Sequence, residues 1–543
     1  MNNTAKFQNA INEMAKVTPM LVGESQETFK SRSAEFLKDV EESQFIKVPL
    51  VGVFSAGKSS LLNVFTQKTG MLPVDTAPET AVAYEMYYDT NERVELYREG
   101  NKIDTQSLSN IKDLDTKPGD IAKVYSNSEP IKQLQDKGII LVDMPGIGSG
   151  IERHDAAIFN YIDKATTFIV IVDVEQGSLR NSTMTFMQEL DKYGIHPVVM
   201  VSKIDKKPAS DVKEVVEYIQ YQMTKLGNQS PYVGTVCAAN NDVKALSDYL
   251  NTLNADNIVT EGLRRKFNVL ANSVVEQLKV RVAVRNADVA NVDQKLKQLE
   301  EQIANVKAEL PTEKSNADTP EKSTQDILDN VKSVLEAKAQ DIAQMVVDRE
   351  DQETIKAAIV SIVRAEIIIS LKEESEQYTT ALGSSVQETV KNIAAIEIDD
   401  NVLGEFSDIV DGVKIALQGL LGTLGGIWGK IASFLLQYLP DIINWLFGKS
   451  KEQLVQEVTD KIKGQCIDKI IEALQPAIFS ITVSNQKRIQ ERIQQELVAK
   501  MEQAKEGLRE KMADANKSKA DVEAEIANLN AAISQVENVV ASL

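Results

Sequence analysis

Phe45-Ile-Lys-Val-Pro-Leu-Val-Gly52-Val-Phe-Ser-Ala-Gly57-Lys58-Ser59-Ser60-Leu-Leu-Asn-Val-Phe65 is the stretch that decides the fold. A short β-rich run feeds a glycine loop, and an apolar helical pattern follows it. Gly52 to Ser59 fits the eight-residue phosphate-loop pattern in the strand–loop–helix context that the pattern requires. Its glycines let the backbone curl so that N–H groups face phosphate oxygens. Gly52, Ser55, Ala56, Gly57 and Ser60 belong to that cradle. Lys58 is placed to reach the β- and γ-phosphates, and the Ser59 hydroxyl to ligate Mg²⁺.

Downstream, further β-like runs occur at residues 82–88, 139–142, 167–174, 197–201 and 233–238. Polar or helical stretches separate several of them, as in an α/β sheet with crossover helices, and the unit is expected to close near residue 255. Leu141-Val-Asp143-Met-Pro-Gly146 ends one run. Asp143 can act on Mg²⁺ through water there, and Gly146 can offer an N–H to a γ-phosphate. Ser202-Lys203-Ile204-Asp205 ends another. It corresponds to the [N/T]-K-x-D guanine pattern, with Asp205 accepting the two donors of the guanine edge and Lys203 lying along the base. Adenine lacks that donor pair, so the expected nucleotide is GTP. Ser202 departs from Asn/Thr, which is expected to weaken the loop's hydrogen bonding. Thr235-Val-Cys-Ala238-Ala-Asn240 stands where a fifth loop flanks the base, with Ala238 as its contact.

A switch threonine must lie between the phosphate loop and Asp143, and Leu72-Pro-Val-Asp75-Thr76-Ala-Pro78-Glu-Thr80 offers Thr76 and Thr80. Together, G-x-x-S-A-G-K-S-S-L-L-N and L-P-V-x-x-x-P-x-T-A resemble the dynamin superfamily, in particular the bacterial dynamin-like proteins. The long gap from Lys58 to Asp143 fits that family's enlarged GTPase domain. The resemblance implies that Thr80 is the catalytic switch threonine and a Mg²⁺ ligand, and that Ser55 occupies a catalytic loop position beside Lys58. Phe54 stands where eukaryotic dynamins carry a glutamine, and Asp75 replaces a glycine. No arginine finger is evident. Hydrolysis is therefore expected to be slow or partner-dependent.

The rest of the chain is read as helical. Residues 4–42 show helix-like spacing at Phe7, Ile11, Met14, Val17, Phe29, Phe36 and Val40. Val289 to Leu310 and Val522 to Leu543 alternate apolar steps of three and four, a seam that must meet another helix. Pro311 to Pro320 is an apolar-poor break, a turn or hinge. The expected order is neck helices over 1–44, a dynamin-type GTPase head over 45–255, a neck helix over 256–310 and trunk helices over 311–400. A hydrophobic tip over 401–450 and return helices over 451–543 complete it. The fold class is thus an α/β GTPase head followed by an elongated all-α stalk with a hydrophobic tip.

The tip is compositionally distinct. Residues 413–449 hold both tryptophans, Trp428 and Trp445, and carry Lys414, Lys430 and Lys449 against Asp441. Neither of their two uncharged runs reaches the about 20 residues of a membrane-spanning helix. A buried hairpin capping the bundle is one reading. The favoured one is a membrane-inserting paddle through Leu420, Leu421, Leu424, Ile427, Trp428, Phe434, Leu435 and Trp445.

Composition limits the alternatives. A formal charge of −20 over 543 residues argues against nucleic acid as the main partner, so lipid contact must be driven by apolar insertion. Two cysteines and two histidines exclude a disulfide framework, and they give a zinc site only if all four converge. The start of the chain lacks a signal-peptide pattern, so a cytoplasmic protein with peripheral membrane association is expected. The resemblance adds a homodimer through the heads, higher oligomers and a second dynamin-like chain as partners. Two other classes stay open: a catalytically weak, nucleotide-dependent scaffold, and an ATPase with coiled-coil arms.

Overall fold

The computed structural model describes residues 3–53, 55–73, 82–98, 100–117, 120–146, 161, 165–192, 195–287, 289, 291–308, 319–348, 350, 352–391, 451–514 and 516–543. Phe54, Asp75, Thr76, Thr80 and the tip residues Leu420, Leu421, Leu424, Ile427, Trp428, Phe434, Leu435 and Trp445 lie outside them. Of the break from Pro311 to Pro320, only Thr319 and Pro320 are described.

Strand β1 (Ile46–Gly52) is buried at every position except the partly exposed Lys47, which fits a strand covered on both faces. It is central to a nine-stranded sheet of order β4-β3-β5-β2-β6-β1-β7-β8-β9. β6 (Ile139–Asp143), β7 (Ile169–Asp173), β8 (Val198–Ser202) and β9 (Val233–Thr235) continue it in parallel. β2 (Ala83–Tyr88) runs antiparallel to β6, and β5 (Ile121–Ser126) runs parallel to β2. β3 (Arg93–Arg98) and β4 (Asn101–Ser107) form an antiparallel extension beyond β5. Pro49, which has no N–H, sits just before pairing with β7 begins at Leu50.

Strands β1, β6, β7 and β8 alternate strictly. Val48, Leu50, Leu141, Ile169, Ile171 and Met200 face one apolar cluster, whereas Val51, Val142, Val170, Val172, Val199 and Val201 face another. Helices α3 (Lys58–Phe65), α4 (Glu129–Asp136), α5 (Asn181–Lys192), α6 (Ala209–Lys225) and α7 (Lys244–Thr252) belong to this head.

The first cluster does not stop at the head. It continues through α1 (Asn3–Ala15), α2 (Glu24–Glu42), α8 (Ala255–Asn286) and α14 (Lys519–Ser542). Phe7, Phe36 and Phe267 meet there, with ring centroids 5.5, 5.7 and 6.1 Å apart. The stretch 4–42, read as helical, divides into two helices, α1 and α2. Pro19 sits in a 3₁₀ turn and Gly23 adopts a φ of 57°, which together break the rod.

Residues 451–514 form one continuous helical rod, on the order of 95 Å at about 1.5 Å per residue. It comprises α12 (Lys451–Lys461), a π-helical turn (Ile462–Cys466) and α13 (Ile467–Asp514). Along α8 and α13, Glu276 meets Lys500 at 2.6 Å and Arg285 meets Asp514 at 2.8 Å, so the two helices run parallel. α9 (Val292–Ala308) packs Leu299, Ile303 and Val306 against Ile489, Leu497 and Met501, the helix contact that its heptad spacing demanded. A separate apolar cluster joins α10 (Pro320–Val347), α11 (Gln352–Lys391) and the first half of the rod.

Between these two clusters lies a buried polar belt. Asn485 Nδ2 donates to Ser375 Oγ at 2.5 Å, and Gln486 Nε2 to Glu374 Oε1 at 2.7 Å and Ser323 Oγ at 3.1 Å. The trunk also touches the head. Arg364 and Ser361 of α11 hold Glu189 of α5 in a buried contact. No helix among the described residues is long and apolar enough to cross a membrane.

Candidate nucleotide site

The parallel strands end together on one edge, and three of their loops build the site. After β1, a side chain at Gly52 would place its Cβ 2.5 Å from the Ile171 carbonyl oxygen, so only glycine fits. Ser55 and Gly57 then take positive φ of 63° and 89°, curling the loop into the N-terminus of α3. That terminus is an anion-binding position, because its first N–H groups have no partner within the helix. Lys58 is buried, with Nζ 3.3 Å from the Gly52 carbonyl. Burial pushes its pKa down, with Asp143 opposing. Ser60, partly buried, follows in the first turn.

Asp143 closes this end from β6. Its Oδ2 accepts from Ser59 Oγ at 2.6 Å, whereas Oδ1 is buried without a hydrogen-bond partner among the described residues. Burial drives its pKa up, against the opposing effects of Lys58 and Ser59. A buried carboxylate with one orphaned oxygen beside a serine hydroxyl fits a hard divalent cation. Mg²⁺ commonly uses one or two carboxylates and completes its shell with water and phosphate. No group of three or more His, Cys, Asp or Glu gathers among the described residues, so nothing there competes as an all-protein metal cage. Gly146 is buried just beyond Asp143.

At the opposite end, Lys203 adopts a φ of 55° and spans two loops. Its Nζ donates to the Ser55 carbonyl at 2.6 Å and pairs with Asp173 at 2.8 Å. Burial raises the Asp173 pKa most, but the Lys203 hydrogen bond and charge, the Glu175 backbone N–H and Lys206 together outweigh it and hold the carboxyl below its ordinary value. Asp205 is exposed on a 3₁₀ turn, and its Oδ1 accepts from the buried Cys237 thiol at 3.0 Å. Ala238, next to Cys237, lies in a turn pinned by Cys237 N to Asp242 O at 2.8 Å.

Ser202 is hydrogen-bonded into the loop despite its departure from Asn/Thr. Its hydroxyl donates to the Ala56 carbonyl at 2.7 Å and lies 3.3 Å from the Val172 carbonyl. A one-carbon hydroxyl thus ties β8 to the phosphate loop. Sequence reasoning also missed Asp173, Cys237 and Arg180. Asp173 was findable, because β7 ends in Ile-Val-Asp as β6 ends in Leu-Val-Asp. Arg180 lines a cavity of about 290 Å³ with Ser55, Ala56, Asp173, Glu175 and Gln176. Glu175 pairs outward with Lys206.

Residues 48–204 match the family model described as Dynamin family. The head is a dynamin-type GTPase domain. An uncharacterized protein in the xynA 3′ region of Caldicellulosiruptor sp. (strain Rt8B.4) is 23% identical over 235 residues, 42% of this chain, and the match spans 55% of that relative's length. Two chains described as an oligomerised bacterial dynamin pair that senses and tethers membranes at long range are similar in structure. One is 16% identical with a TM-score of 0.36, covering 99% of this chain and 83% of its own. The other is 14% identical with a TM-score of 0.33, covering 94% and 91%. An Aquifex aeolicus Era variant bound to GDP and AlF4⁻ is 15% identical with a TM-score of 0.24, covering 38% and 55%. Beyond the dynamin-type head, the chain is mostly helical.

Proposed function

We propose that this chain is a bacterial dynamin-like GTPase that binds GTP with Mg²⁺ and uses its hydrolysis to remodel membrane. The observation that carries the reading is the convergence of Lys58, Ser59 and Asp143 at one end of the strand edge with Lys203 and Asp205 at the other. Such sites act by positioning and charge stabilisation. Lys58 and the loop N–H groups hold the phosphates, with Ser55 beside them. Ser59, Asp143 through water and Thr80 would hold Mg²⁺, which would neutralise charge on the phosphates. Asp205, oriented by Cys237, selects guanine, and Ala238 flanks the base.

Membrane contact is assigned to the tip over 401–450, inserting Leu420, Leu421, Leu424, Ile427, Trp428, Phe434, Leu435 and Trp445 into one leaflet. The protein works in the cytoplasm with peripheral membrane association. It pairs head to head, with higher oligomers or a second dynamin-like chain as further partners. Within the family the chain resembles LeoA, and vesicle formation in support of toxin secretion is the corresponding role. Phe54 in the catalytic loop favours one variant of this reading, a weak GTPase that turns over only with a partner.

GTP turnover with and without liposomes, beside a Lys58→Ala control, tests the reading. Turnover above the control and a further rise with liposomes are expected. ATP competing as well as GTP for the site would overturn the Asp205 assignment. Co-sedimentation that survives Leu424→Glu with Trp428→Glu would overturn the tip.

A further inference from the structure

Helix α5 starts at the nucleotide-side loop and ends against the trunk. Its N-terminal neighbours Glu175, Gln176 and Arg180 line the cavity beside Ser55. Phe186, Met187 and Leu190 anchor it in the head's apolar layer, with Phe186 edge-on to Phe168 at 5.8 Å. Glu189 leaves that layer. Its Oε1 accepts from Arg364 Nε at 2.7 Å, and its Oε2 accepts from Arg364 Nη2 at 3.0 Å and from the Ser361 hydroxyl. The two charged side chains are 1% and 6% exposed, so the pair is buried.

The apolar clusters on either side do not merge across this contact: one holds head residues only, the other α10, α11 and the rod. A fork-on pair is geometrically specific, but its desolvation offsets much of its attraction. Parting the contact returns charged and hydroxyl groups to water rather than exposing a shared apolar core. Polar contacts of this sort are typical of units within one chain that separate.

We propose that Glu189, Arg364 and Ser361 form a releasable latch that clamps the trunk to the head and restrains GTP turnover. The clamp acts through α5, a rigid element with one end at the cavity rim and the other in the trunk's grip. Pulling the trunk away frees α5 and with it the 173–180 loop. The regulatory half of this inference rests on the GTPase reading above; the mechanical half does not.

The full chain tests it. Arg364→Glu opposes two carboxylates, and Glu189→Arg with Arg364→Glu restores the pair in reverse. Arg364→Glu should enlarge the radius of gyration in small-angle X-ray scattering. If the released form is a minor species of at most about 10%, lipid-free turnover should rise at least tenfold. The reversed pair should bring both values back toward wild type. A folded Arg364→Glu protein with wild-type size and turnover overturns the latch, as does failure of the reversed pair to restore them. Should Arg364→Glu not fold, Glu189→Gln keeps the shape, loses the charge and should shift both readouts the same way by less. If no form binds a fluescent GTP analogue, the nucleotide reading fails, while the scattering result still decides the latch.

Discussion

Where α1, α2, α8 and α14 meet the sheet, one apolar cluster runs from Val48 and Leu141 through Phe267 to Val536. Where α11 meets α5, the two apolar clusters stay separate and Glu189, Arg364 and Ser361 form a buried polar contact between them. The first joint cannot open without wetting aromatic and aliphatic surface, which costs about 25 cal/mol for each Å² exposed. The second can open and leave both faces hydrated. Head and neck should therefore behave as one body, and the trunk as a body that docks on it.

The most damaging test of this contrast is Phe267→Ala. Its ring is fully buried against Phe7 and Phe36, so its loss should cost about 3–5 kcal/mol in denaturant unfolding. Head and neck should lose stability together, in one transition. A neck that melts at lower denaturant while the head keeps its midpoint would break the comparison.

Acid sharpens it next, because the neck holds a buried charge inside its permanent core. Glu496 accepts from Ser273 Oγ at 2.9 Å and pairs with Arg32. Burial pushes its pKa up, but Arg32, with Arg492 and Lys500, outweighs this and holds it below the ordinary value of 4.5. A depressed carboxyl binds protons more weakly when folded. Its stabilisation is present above the ordinary value and is lost as pH falls through it toward the folded value. Glu496→Gln should flatten that acid limb in urea midpoints measured against pH. A limb of unchanged slope would remove Glu496 from the account.

The smallest effect belongs to Ser361→Ala. It removes one hydrogen bond to a carboxylate, worth about 1.5–3 kcal/mol, from the docked contact. The loss should appear as faster amide exchange along α5 and α11, with the unfolding midpoint of head and neck unmoved. A shifted midpoint would mean that the trunk contact belongs to the same cooperative unit.

The central strands and the phosphate loop were legible because the chemistry is local. Gly52 and Gly57 are required by a close approach and a positive φ, and each parallel strand is a short apolar run. β3, β4 and β5 were not anticipated. β4 in particular exposes most of its residues and carries no apolar face to read. In the first helices the spacing of the phenylalanines was readable, whereas the break at Pro19 and Gly23 was not located. In the site, Ser202 was noted as a departure without its partner, because the Ala56 carbonyl it reaches is 146 residues away. Glu189 and Arg364 were illegible for the same reason. Each reads as an ordinary charge on an amphipathic helix until the fold brings them together across 175 positions.

The polar belt at Asn485 and Gln486 acts as an index mark on the rod. A shift of α11 by one helical turn, about 5.4 Å along α13, would part Asn485 from Ser375 and set Ser375 against Ile481 or Ile489. Longitudinal creep between these helices is thereby penalised at a single level, while tilting about that level keeps the polar partners in reach. The rod is keyed against sliding at the place where bending would disturb it least.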